Sequence, residues 1–161
     1  MRMRSMMIII IVLACAAGAQ AQKLTEKKAL NLAIAKQLAA VAENEAAKDK
    51  LSVAIAIVDD RGILIFLETM DETQLASIRV AQEKAYSAIA YKRPTKTFQE
   101  VLAQGRTSVL KLPGVIATAG GIPLVADGKI IGAIGVSGGN SEQDEAVAEV
   151  GAGALAKILA Q

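Results

Sequence analysis

The stretch GIPLVADGKIIGAIGVSGG, residues 121–139, decides the fold. Residues 122–126 and 130–136 are short apolar runs rich in β-branched residues. The Asp127-Gly128 pair between them is the strongest short-range signal for a two-residue hairpin. Two antiparallel strands are therefore expected here. Gly138 and Gly139 end the second strand. Ser141 then reads as the cap of a closing helix with Val147, Val150, Ala154 and Ile158 on its core face.

Outward from this hairpin the same reading continues. Residues 115–119 form one more short apolar run before Gly120-Gly121 and are expected to be a third strand. Ahead of them Thr95 caps a short helix carrying Phe98, Val101 and Leu102, closed by Gly105. Residues 72–91 form a longer helix that turns Leu75, Ile78, Ala81, Ala85 and Ile89 inward and stops before Pro94. Residues 51–58 and 63–67 are two apolar runs joined by the turn residues Asp59-Asp60-Arg61-Gly62, which makes another hairpin. Thr25 caps the first helix, which runs to Ala47 with Leu30, Ile34, Leu38 and Val41 on one face. The order is α-ββ-αα-βββ-α. It describes one α+β domain, an antiparallel sheet of about five strands flanked by helices.

The N-terminus adds an address. Arg2 and Arg4 precede an uncharged apolar run at residues 6–17, and Ala19-Gln20-Ala21 supplies a small-x-small cleavage site. Residues 1–21 are thus expected to be a signal peptide and residues 22–161 a single domain, secreted or periplasmic. The apolar run is short of the roughly 20 residues a spanning helix needs. Cys15 leaves lipidation open, although Leu13 stands where lipoprotein sites prefer a small residue.

Cleavage changes the chemistry of what remains. Cys15 is the one cysteine and there is no histidine, so the exported domain has neither. Taking Arg2 and Arg4 from the 18 basic residues leaves 16 against 16 acidic ones. A neutral domain gives no electrostatic case for nucleic acid or for an anionic membrane. The core must be aliphatic, because the chain has two Phe, two Tyr and no Trp. So few large anchors favour burial of aliphatic helix faces in a homo-oligomer.

The segments Ala119-Gly120-Gly121-Ile122-Pro123, Asp127-Gly128-Lys129-Ile130-Ile131-Gly132-Ala133-Ile134-Gly135-Val136-Ser137-Gly138 and Gln143-Asp144-Glu145 resemble the GlcG/HbpS-like family. Ile57-Val58-Asp59, Glu68-Thr69-Met70-Asp71 and Lys84-Ala85-Tyr86 fall in the family's order, so the resemblance spans the whole exported chain. It implies a sheet of about five antiparallel strands, assembly into oligomers, and binding of heme or a related small molecule, with heme degradation in some members. On the same ground Lys84, Tyr86, Gly120, Gly121, Pro123, Ser137 and Gly138 are the candidate ligand-binding residues.

The residues themselves constrain how such a ligand is held. Without His or Cys the commonest axial ligands of heme iron are missing. Tyr86, Tyr91, Met70 and Lys84 remain, and a tyrosine must ionise against a pKa near 10 to bind ferric iron. Tyr86 and Tyr91 are five apart and diverge on a helix. Apolar contact, with Arg79, Lys84 or Arg106 pairing the propionates, is the alternative to ligation. The glycine-rich turn before Ser141 lacks the lysine of a phosphate loop, and Glu142, Asp144 and Glu145 in the first helical turn repel phosphate. Asp144 three residues after Ser141 reads as part of a box-like cap. Glu142 and Glu145 read as a solvated helix start rather than a metal pair, and Asp59, Asp60, Glu68 and Asp71 as turn and edge carboxylates rather than an acid/base pair. No metal site is expected. A ligand-binding protein leads, and an enzyme turning over a small molecule around Lys84, residues 120–123 and Ser137, or a scaffold acting through envelope partners, remain open.

Overall fold

The computed structural model describes residues 27–161. The signal peptide expected at residues 1–21 and the cap expected at Thr25 lie outside the described residues. In chain order the elements are α1 (Leu32–Lys48), β1 (Ala54–Asp59), β2 (Leu64–Thr69), α2 (Leu75–Tyr91), α3 (Lys96–Ala103), a 3-10 helix (Thr107–Lys111), β3 (Gly121–Ala126), β4 (Lys129–Ser137), α4 (Ser141–Gly153) and α5 (Leu155–Leu159). The α+β architecture with an antiparallel sheet matches expectation.

The sheet runs β2-β1-β4-β3 with every neighbouring pair antiparallel. Its two central strands are buried on both faces, which is why their sequences read as continuous apolar runs. Alternate residues serve different cores. Val53, Ile55, Ile57, Ile134 and Val136 pack toward α1, α4 and α5. Ala54, Ala56, Val58 and Ala133 pack toward Ala81, Ala85, Ala88 and Ile89 of α2. The first face takes bulky residues and the second small ones, so α2 lies close on the sheet. A Cβ at Gly135 would stand 2.1 Å from the Ala81 carbonyl oxygen, so no larger residue fits beneath the helix.

Both hairpins form as their turn chemistry requires. Asp127 and Gly128 have φ of 49° and 72°, the left-handed pair that a two-residue turn needs. At the other turn Asp59 closes the loop itself, its carboxylate accepting from the backbone N–H groups of Arg61 and Ile63 and from the Arg61 guanidinium. Pro123 is tolerated in β3 because that strand is an edge of the sheet.

Four differences from expectation have physical causes. The sheet has four strands, because residues 115–119 form no ladder. Their N–H groups find other partners: Ile116 donates to Ser87 Oγ, Ala119 to Gln99 Oε1 and Val115 to the Leu112 carbonyl. The first helix starts at Leu32, where Asn31 accepts from the Ile34 N–H as its cap. Its buried face is Ala35, Leu38, Ala39, Ala42 and Ala46; of the expected stripe Leu38 lies at its centre, Leu30 is buried ahead of the helix and Ile34 packs half-buried against the same core. On α2, Leu75 is 84% exposed at the first position, and Ser77 and Lys84 are buried in its place. The last helix is capped by Asn140, with Gln143 completing a reciprocal capping box, and it breaks at Ala154 into α4 and α5. Asn140 and Gln143 thereby leave Ser141 at the first helical position and free Asp144 for a partner elsewhere.

Candidate functional site

Lys84 occupies the buried face of α2 among the alanines, at one turn from Ala81 and Ala88. It is 1% exposed. Its Nζ donates to the Val136 carbonyl at 2.9 Å and to Asp144 Oδ2 at 2.6 Å. Asp144 Oδ1 in turn accepts from the Gly139 N–H at 2.9 Å. Beside it, Glu145 Oε2 accepts from the Gly120 N–H at 2.6 Å, while the Gly120 carbonyl accepts from Val136 N–H at 2.8 Å. Thr95 and Gly121 exchange two hydrogen bonds, Gly121 N–H to Thr95 Oγ1 and Thr95 N–H to the Gly121 carbonyl, both 2.9 Å. One polar knot thus fastens α2, β4, the start of α4 and the segment leading into β3. Gly120 makes room for it at φ +112°, where a Cβ would meet Val136 O at 2.8 Å and Lys84 Nζ at 3.0 Å.

Burial dominates the electrostatics of this knot. It draws the Lys84 ammonium below the ordinary lysine value, against the pull of Asp144 and Glu145 in the other direction. Burial also pushes the Glu145 carboxyl up, with the Gly120 N–H opposing and Glu149 reinforcing the shift. Lys84 is therefore a closed, paired cation behind the surface, not the wall of a cleft.

Tyr86 lies two positions further along α2, about 200° round the helix from Lys84. It is 46% exposed and lines a cleft of about 430 Å³. Val58, Leu64, Val115 and Ile116 supply apolar walls, and Arg79, Gln82 and Glu83 stand at the same cleft. The ring is held between two glycines: a Cβ at Gly114 would approach it to 2.6 Å and one at Gly62 to 2.9 Å. Arg79 Nε donates to Glu83 Oε1 at 2.7 Å, one helical turn apart, on the exposed side. The cleft's volume falls within the range of small-molecule sites, and its make-up is theirs: apolar walls with a few polar groups.

The structure thus brings Lys84, Gly120 and Gly121 together and places Tyr86 apart from them. Ser137 and Gly138 sit between Val136 and Gly139, the two anchors of the knot, and Gly138 lies against the backbone of Ser52. Pro123 is in the middle of the edge strand, opposite Ala133. Tyr91 donates its hydroxyl to the Pro113 carbonyl at 2.7 Å and meets Phe98 edge-on at 5.2 Å. Met70 packs at the end of β2 against the α1-side core. Glu142 is exposed while Glu145 is buried on Gly120, so the two diverge. Glu68 faces Glu43, and burial together with that neighbouring carboxylate pushes its pKa up. Among the described residues no three His, Cys, Asp or Glu side chains cluster to hold a metal ion.

Sequence reasoning missed the partners of Lys84 and the cleft walls from three separate segments. One signal was available: Lys84 interrupts the Ala81, Ala85, Ala88 stripe, where a solvated lysine does not belong.

Comparison with known proteins places these features in a wider set. The family model described as haem degrading protein HbpS-like matches residues 30–153. Protein GlcG of Escherichia coli K12 is 40% identical over 111 residues, 69% of this chain and 83% of GlcG. A crystal structure of a double mutant of Streptomyces reticuli HbpS superposes with a TM-score of 0.76 at 34% identity, covering 87% of this chain and 97% of that one. A crystal structure of a PduOC–heme complex superposes with a TM-score of 0.72 at 30% identity, covering 79% of this chain and 95% of that one.

Proposed function

The chain belongs to the HbpS-like family, and on that premise we propose that it is an exported small-molecule-binding protein whose ligand is heme or a related tetrapyrrole, held without histidine or cysteine. The observation that carries this reading is the cleft around Tyr86. It offers a planar amphipathic molecule apolar walls, an aromatic ring held between Gly62 and Gly114, and the Arg79 guanidinium for a carboxylate. The structural neighbour in complex with heme supports the choice of ligand. Lys84 is paired inside the fold, and Arg106 lines a different cleft, so Arg79 is the propionate partner in this reading.

Export rests on Arg2, Arg4 and the apolar run that follows them. Oligomer formation is supported by large apolar side chains left open to water on several elements, among them Leu75, Leu110 and Val125.

Titrating residues 22–161 with hemin at micromolar concentration tests the reading. A saturable Soret change is expected, altered in position by Tyr86→Phe and weakened by Arg79→Ala. No saturable change in the parent protein removes tetrapyrroles from the account. The family's description favours a second reading, oxidative breakdown of the bound tetrapyrrole. Decay of the Soret band with peroxide, faster than for free hemin and slowed by Tyr86→Phe, marks turnover. Decay equal to that of free hemin rules it out.

A further inference from the structure

Four arginines fall within the described residues, and they divide into two kinds. Arg61 pairs with Asp59 and Arg79 with Glu83. Arg93 and Arg106 make no ion pair among the described residues. Arg93 Nε donates to the Tyr91 carbonyl at 3.2 Å, and an Arg106 terminal nitrogen donates to Gln104 Oε1 at 3.0 Å. These two arginines line one cleft of about 320 Å³ between α3 and the 3-10 helix, together with Phe98, Val109 and Leu112. No carboxylate lines it.

The local charge is as uneven as the pairing. Residues 91–111 contain Lys92, Arg93, Lys96, Arg106 and Lys111 against Glu100 alone, whereas the rest of residues 22–161 carries more acidic than basic side chains. The frame is well fastened. Tyr91 ties the end of α2 to Pro113, its ring meets Phe98 edge-on, and the Arg106 N–H returns to the Val101 carbonyl. The Arg93 guanidinium lies 5.9 Å from the centre of the Phe98 ring.

We propose that this cleft is a second ligand site, separate from the Tyr86 cleft, for a small amphipathic anion: a carboxylate or phosphate held by Arg93 and Arg106, with its hydrocarbon part against Val101 and Leu112 above the buried Phe98 and Val109. Guanidinium forks match the oxygens of both anions, which the ammonium of lysine does not do. A neutral apolar molecule would leave the two cations unused, and a bare inorganic anion would leave the exposed Leu112 side chain in water. Nucleic acid fits poorly, since Phe98 is buried and offers no open ring for a base. The proposal does not rest on the tetrapyrrole reading.

The test is an amide NMR titration of residues 22–161 with octanoate, octanol, inorganic phosphate and phosphatidylglycerol vesicles. Octanoate is expected to give saturable shifts at Phe98, Val109 and Leu112, with octanol and phosphate each about tenfold weaker, since each loses one of the two contributions. The double change Arg93→Gln, Arg106→Gln should weaken octanoate by about tenfold or more, the double change to Lys should restore part of the loss, and Tyr86→Phe should leave octanoate affinity unchanged. Vesicle binding together with octanoate shifts assigns the anion to a lipid headgroup, and octanoate shifts alone assign it to a free acid. Octanol equal to octanoate overturns the proposal, as does unchanged affinity in the glutamine variant. Vesicle binding without octanoate shifts also overturns it, in favour of a membrane-surface contact. Displacement of octanoate by one equivalent of hemin overturns the separateness of the two sites.

Discussion

The two sides of α2 hold the same kinds of groups in opposite states. On the inner side Lys84 and Asp144 are a cation and an anion with almost no water, fixed to backbone groups of β4 and the loop before α4. On the outer side Arg79 and Glu83 are a cation and an anion in solvent, beside a tyrosine with an open face. Burying an ion pair costs desolvation that its attraction only roughly offsets, so the inner pair adds little net stability, yet losing one partner strands the other. An exposed pair is screened and contributes little either way. Single substitutions on the inner side are therefore expected to cost stability, and the outer side is the one proposed to take a ligand.

The largest expected effect tests the inner side. Lys84→Ala leaves Asp144 buried and unpaired and should lower unfolding stability by about 3–5 kcal/mol in urea titration. A paired replacement, Lys84→Met with Asp144→Leu, should recover most of that loss. If Lys84→Ala instead folds with unchanged stability and loses hemin binding, the two sides have been assigned the wrong way round.

Gly120→Ala comes next. The change places a side chain at φ +112° against Val136 O and Lys84 Nζ, and about 1–3 kcal/mol should be lost. Thermal unfolding measures it, and a neutral outcome would mean that the knot can open without cost.

A smaller effect separates the members of the knot by pH. Burial raises the Glu145 pKa in the folded state, so the folded protein binds more protons than the unfolded chain above the ordinary glutamate value of about 4.3. Stability contributed by Glu145 should fall as pH rises from there through the raised value, and Glu145→Gln should flatten that slope. An unchanged slope in the variant would assign it to another group.

The smallest stability effects belong to the outer side. Tyr86→Phe and Arg79→Ala should each alter unfolding stability by no more than about 0.5 kcal/mol. The same variants should change the hemin spectrum and affinity. A Tyr86→Phe protein that is strongly destabilised would show the ring to be a strut between Gly62 and Gly114.

Local chemistry made much of the fold legible. Asp127-Gly128 and Asp59 to Gly62 specify their hairpins because the turn residues carry the conformations themselves. Apolar runs at residues 51–58 and 130–136 mark strands covered on both faces, the first of which begins at Ala54. The element lost was residues 115–119, apolar enough for a strand but satisfied by Ser87 and Gln99. The cap at Asn140 was displaced by one residue, because Ser141 and Asn140 are both capable caps and Gln143 decides between them.

The candidate site was less legible. Lys84, Gly120 and Gly121 belong together, yet as a closed knot. Tyr86 shares a helix face with Arg79, two turns back on α2, but Leu64 and Ile116 come from other segments that no spacing links to it.

By itself the sequence determined the α+β class, the hairpins, the family, and the absence of histidine and cysteine from residues 22–161. Each of these is written in neighbouring residues or in composition. Tertiary structure alone decided that Lys84 is sealed by Asp144 sixty residues away, and that Tyr86 and two arginines without an ion pair among the described residues line separate clefts. The reason is physical: a charge's state depends on the water and partners around it, and those are supplied by segments far apart in the chain.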